Sequence, residues 1–118
     1  MTRIKLALAA LAIAAVAAVP AAQAATILVG TVGPGFTITL KSNGKKVAKL
    51  KAGTYVIRVS DKSNIHNFRL KGPGGVNKKT SVAFVGNVTW TVKLTPGKYT
   101  YVCDPHAAIM VGHFTVTA

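Results

Sequence analysis

The stretch Tyr99-Thr100-Tyr101-Val102-Cys103-Asp104-Pro105-His106-Ala107-Ala108-Ile109-Met110 decides how the chain is to be read. Its first half alternates. Successive side chains of a strand point to opposite faces, so Tyr99, Tyr101 and Cys103 share one side while Thr100 and Val102 share the other. The aromatic side is the one to face a core. The strand then runs into a loop where His106 follows Cys103 by three residues and Met110 follows His106 by four. Pro105 stiffens that loop, because its ring fixes φ and removes a backbone donor. A strand therefore carries a thiol on its core side to a loop that holds an imidazole and a thioether.

The same short-strand pattern extends in both directions. Thr26 to Val32 is followed by Gly33-Pro34-Gly35 and then by Phe36 to Lys41. Ser42-Asn43-Gly44-Lys45 predicts a tight hairpin, since Asn and Gly tolerate the positive φ it needs. Val47 to Leu50, Thr54 to Ser60, Ile65 to Lys71, Ser81 to Val85 and Val88 to Leu94 read as further strands, and His113 to Thr117 follows the loop. Gly, Pro and Asn punctuate them about every ten residues, and no helical period is convincing. The expectation is a two-sheet antiparallel β-sandwich with Greek-key connections and about seven to eight strands.

Residues 1–24 read differently. A basic start with Arg3 and Lys5 leads into the apolar run Leu6 to Val19, then Pro20 and the small residues of Ala22-Gln23-Ala24. That order predicts a secretory signal cleaved before Ala25, with one domain over residues 25–118 and a secreted or periplasmic product. The apolar run is 14 residues long, short of the roughly 20 that span a bilayer. No membrane span is expected after cleavage. The sole cysteine, Cys103, cannot form an internal disulfide, and in an oxidising compartment a metal would protect its thiol.

A thiolate, an imidazole and a thioether within eight residues form a soft donor set that suits copper better than calcium or magnesium. The loop supplies one histidine, so a second nitrogen must come from elsewhere. His66 is the candidate, on the same face of its strand as Phe68 and Leu70. Two imidazoles, a thiolate and a weak axial Met describe a blue-copper site for electron transfer, with His66, Cys103, His106 and Met110 as ligands. Asn67 is expected to bridge its strand to the cysteine loop by side-chain hydrogen bonds. His113 alternates with Phe114 and should face solvent.

His66-Asn67-Phe68, the strand Tyr99 to Cys103 and the Cys103-Asp104-Pro105-His106…Met110 loop resemble the plastocyanin and azurin family of cupredoxins. The likeness covers nearly all of residues 25–118, including Gly53-Thr54-Tyr55 and Pro96-Gly97-Lys98-Tyr99. It implies one type 1 copper, bound through Nδ1 of both histidines and the sulfurs of Cys103 and Met110. The implied role is to carry single electrons between larger redox proteins. The Cys-x2-His-x3-Met spacing lies between a shorter amicyanin-like loop and a longer plastocyanin-like one.

Charge bears on partners. Without Arg3 and Lys5, 13 basic residues face only Asp61 and Asp104, a net charge of +11. This favours an acidic redox partner or an anionic envelope surface; no nucleic-acid motif is present and no such partner is expected. Lys41, Lys45, Lys46, Lys49 and Lys51 cluster around the hairpin, where they protect an edge strand or steer docking. Ala107, Ala108 and Ile109 would surround His106 with apolar surface for partner contact. A monomeric electron carrier, not an enzyme, is the leading expectation. Envelope copper trafficking or buffering is the alternative, although such proteins usually offer several exchangeable Met or His residues.

Overall fold

The computed structural model describes residues 9–10, 12–14 and 24–118. The expected export signal over residues 1–24 falls largely outside the described residues. Among the described residues, no helix is long and apolar enough to cross a membrane.

Among the described residues, ten strands follow one another: β1 (Thr26–Val32), β2 (Ile38–Ser42), β3 (Lys45–Lys46), β4 (Lys49–Lys51), β5 (Gly53–Asp61), β6 (Arg69–Gly72), β7 (Val76–Lys79), β8 (Gly86–Leu94), β9 (Gly97–Val102) and β10 (Val111–Thr117). One 3-10 turn, Asp104–His106, lies between β9 and β10. The strands form two five-stranded sheets, ordered β3-β2-β1-β5-β8 and β4-β10-β9-β6-β7. Most ladders are antiparallel as expected, but β1 runs parallel to β5 and β4 runs parallel to β10, so both sheets are mixed.

Three differences from the sequence expectation have local causes. Ser81–Val85 is a turn, not a strand, closed by Phe84 N–H donating to the Ser81 carbonyl at 3.1 Å. Val76–Lys79 is a strand that pairs with β6. The strand expected from Ile65 starts only at Arg69, because the preceding amides are engaged elsewhere. Asn67 N–H points at Cys103 Sγ and Phe68 N–H donates to Thr80 Oγ1.

The alternating faces meet in one core. Leu28, Val32, Leu40, Ile57 and Val59 come from the first sheet, and Leu70, Tyr99, Tyr101, Phe114 and Val116 from the second; all are at most 2% exposed. An aromatic file runs through it. Tyr99 stacks on Phe114 at 5.3 Å between ring centroids, and Tyr101 stacks on Phe68 at 6.0 Å with planes 3° apart. The buried Tyr99 hydroxyl accepts from Thr95 N–H at 3.0 Å and lies 3.0 Å from the Pro73 carbonyl, so its polar tip is satisfied.

Register fixes where the connections gather. Val32 pairs with Asp61, Asp61 with Gly86, Arg69 with Val102, and Val102 with Val111. The segments 33–37, 62–68 and 103–110 therefore leave the sandwich at one end.

Candidate metal centre

Three side chains converge at that end. Nδ1 of His66 and Nδ1 of His106 are 3.1 Å apart, and Cys103 Sγ lies 3.7 Å from the first and 3.6 Å from the second. His66 and Cys103 are fully buried, while His106 is half-buried and reaches the surface. A circle through these three atoms has a radius of about 2.0 Å, close to the roughly 2.0–2.3 Å at which imidazole nitrogen and thiolate sulfur bind a metal such as zinc. Two nitrogen lone pairs and a sulfur aimed at one point repel each other unless protons or a cation lie between them. The donor set and its spacing fit a metal ion.

Local structure explains the convergence. Cys103 follows the last residue of β9, and Pro105 sits in the first turn of the 3-10 segment, where its missing N–H costs nothing. His106 N–H donates to the Cys103 carbonyl at 3.1 Å, and Met110 N–H donates to the His106 carbonyl at 2.9 Å. Cys103 N–H then closes the loop on the Met110 carbonyl at 3.0 Å. These bonds hold Met110 beside Cys103, and its side chain is 1% exposed.

Asn67 ties the two ligand-bearing segments together. Its Nδ2 donates to the Asp104 carboxylate at 2.7 Å and to the Thr80 carbonyl at 3.3 Å, while its Oδ1 accepts Asp104 N–H at 2.7 Å. Its own N–H lies 3.5 Å from Cys103 Sγ, a weak donor to a thiolate. Arg69 Nε reaches the Asp104 carboxylate at 3.0 Å. Burial pushes the Asp104 carboxyl up, but hydrogen bonds from Asn67 and Arg69 and the charges of Arg69 and Lys79 outweigh it and hold it below the usual range. Its ionised form therefore adds stability that is lost as pH falls through that lowered range.

The sequence reading missed three contributors. Asp61 is buried at the end of β5, where Ser63 N–H and the Thr80 hydroxyl donate to its carboxylate at 3.2 and 2.9 Å. Burial raises its pKa, only partly offset by those bonds and by the nearby His66. Thr80 relays this anchor to the His66 segment through Phe68 N–H. Phe36 is the third: its ring meets His66 edge-on at 5.1 Å and His106 at 4.9 Å, yet it is 56% exposed. A Phe directly after Gly33-Pro34-Gly35 was the one signal in the sequence, and it also fits an ordinary strand start. Nε2 of His66 is buried without a hydrogen-bond partner among the described residues. Packing therefore fixes this ring where metal-bound histidines usually use a second hydrogen bond.

The expected partner-contact residues Ala107, Ala108 and Ile109 are exposed beside His106, as is Ile65 next to His66. His113 is exposed on β10 and lies 2.9 Å from Thr100 Oγ1, outside the ligand triangle.

A family profile described as copper binding proteins, plastocyanin/azurin family, matches residues 31–117. Among solved structures, reduced rusticyanin is 27% identical, with a TM-score of 0.58 over 77% of this chain and 78% of that one. A second structure, of the copper protein rusticyanin, is 25% identical, with a TM-score of 0.59 over 77% and 76% of the two chains. Rusticyanin from Thiobacillus ferrooxidans is 26% identical, with a TM-score of 0.55 over the same shares. No curated protein matches the chain.

Proposed function

The chain belongs to the plastocyanin/azurin family of copper-binding proteins, and from that premise we propose that it carries single electrons between redox partners outside the cytoplasm. The supporting observation is one-sided access. His66, Cys103 and Met110 are at most 1% exposed, and His106 alone of the four candidate ligands reaches the surface. A buried centre with one imidazole edge at the surface suits passage of an electron.

Each residue has a distinct part. Cys103, His66 and His106 supply the strong donors and Met110 a weak thioether, and bound copper would supply the one-electron couple. Asn67 and the Cys103–Met110 backbone bond keep the ligands from rearranging when the charge at the centre changes. Phe36 shields both imidazoles from water. Phe36, Ala107, Ala108, Ile109 and Ile65 form an apolar rim through which a partner approaches His106. Export by the segment over residues 1–24 would place this chemistry in the periplasm or medium.

Electron self-exchange between oxidised and reduced copper protein, read from NMR line broadening, tests the proposal. Fast exchange is expected. Ile109→Lys should slow it by about tenfold or more while leaving the visible spectrum unchanged, because two copies would then meet through like charges. Slow exchange in the wild type, or more than one copper bound per chain, would favour trafficking over electron transfer.

A further inference from the structure

We propose that the outer face of the β4-β10-β9-β6-β7 sheet binds an anionic lipid bilayer, separately from the metal end. Residues paired across neighbouring strands point to the same side of a sheet. Lys49 pairs with Thr115, which pairs with Lys98; Lys71 pairs with Thr100, which pairs with His113; Lys51 pairs with Thr117. Arg69 pairs with Lys79 at the margin near the metal loop. All of these alternate with the buried Leu70, Tyr99, Phe114 and Val116, so they share the outward face. With strands about 4.8 Å apart, the face is about 20 Å wide.

Among the described residues, only its margin is neutralised, where Asp104 pairs with Arg69. The chain has two acidic residues, of which Asp61 is buried and Asp104 is bonded to Arg69 and Asn67. Solvating the outside of a sheet requires polarity, not one sign of charge. Edge protection explains lysines on β4 and β7 but not Lys71 and Lys98, which lie on the internal strands β6 and β9.

The occupant follows from what the face lacks. A stable protein interface is anchored by buried apolar or aromatic side chains. Among the described residues of the sandwich, the other exposed large hydrophobics lie elsewhere: Ile27 and Val29 on the other sheet, Phe36, Ile65 and Ile109 at the metal end, and Val82 and Val85 in the 81–85 turn. Only Val111 touches the margin of this face. Lysines are point charges on flexible stems, suited to a field of phosphates more than to one shaped carboxylate site. Lying on this face, the chain would keep its apolar rim at one end free for a redox partner.

Co-sedimentation of the chain from Ala25 onward, which holds all ten described strands but lacks the apolar run Leu6 to Val19, with phosphatidylglycerol vesicles at low salt tests this, with phosphatidylcholine vesicles as comparison. Binding should favour the anionic vesicles and fall at high salt. The variant Lys49→Gln, Lys51→Gln, Lys71→Gln, Lys98→Gln should bind at least ~100-fold more weakly. Removing the same charge elsewhere, with Lys41→Gln, Arg58→Gln, Lys62→Gln and Lys93→Gln, should have a much smaller effect. Lys71→Gln with Lys98→Gln alone, which spares both edge strands, should still weaken binding by about tenfold or more. Equal loss in the two quadruple variants, or no preference for anionic lipid, would overturn the proposal. So would a chain that ignores vesicles but binds poly-glutamate with the same lysine dependence, which would assign the face to an acidic protein. Binding should not depend on copper, so this result and the copper reading stand or fall separately.

Discussion

Gly112→Ala is expected to be among the most damaging single substitutions outside the ligands. Gly112 on β10 pairs with Tyr101 on β9, and a Cβ there would run into the Tyr101 ring, whose near atoms include Oη. Tyr101 is 1% exposed and stacked on Phe68, so it has nowhere to go. Over-packing of this kind costs about 3 kcal/mol. In a domain of this size, that corresponds to a fall in Tm of about 15 °C, measurable by calorimetry. Tyr101 lies two residues before Cys103 on the same face, so the copper spectrum should shift as well. An unchanged Tm would mean that the ring does not occupy the seat this glycine provides.

The second large effect is expected for Asn67→Leu, which keeps side-chain size but removes every side-chain polar link that Asn67 makes between the His66 and Cys103 segments, leaving only its backbone N–H that faces Cys103 Sγ. The substitution leaves the Asp104 N–H and the Thr80 carbonyl without their 2.7 and 3.3 Å partners. It also frees the Asp104 carboxylate from its 2.7 Å donor. Each buried polar group left unpaired costs about 1–3 kcal/mol, and Asp104 can recover part of this from water. A loss of about 3 kcal/mol in urea unfolding is therefore expected. Copper should also leave the variant faster when a chelator is added, because the two loops no longer move as one unit. Wild-type stability together with wild-type copper release would show that Asn67 merely fills space.

How much of this was legible in the sequence depends on range. The Tyr99-Tyr101-Cys103 face, the Val88, Trp90, Val92 and Leu94 face and the Asn43-Gly44 turn follow from local alternation and turn chemistry; in the structure Val92 and Leu94 are buried, while Val88 and Trp90 are only partly buried against the core. The donor residues were legible because three of them lie within eight positions. Strands of two to four residues, such as β3, β4 and β7, carry too few positions to show a period. Parallel pairing of β1 with β5 joins residues 29 positions apart and leaves no local trace. The same limit hid Phe36, which meets histidines 30 and 70 residues away. It also hid the cationic sheet face. The hairpin lysines look like one cluster in sequence, yet Lys41 and Lys46 pair within the first sheet while Lys49 and Lys51 join Lys71 and Lys98 on the second.

The central claim is that Cys103 Sγ and the Nδ1 atoms of His66 and His106 form one copper site with Met110. Its most direct test is to add Cu(II) to the purified protein and record visible and EPR spectra of the wild type and of Cys103→Ala. The account predicts one copper per wild-type chain, an intense blue thiolate-to-copper band and a narrow copper hyperfine splitting, with the band absent from the variant. A colourless wild-type protein that holds copper only weakly would contradict it.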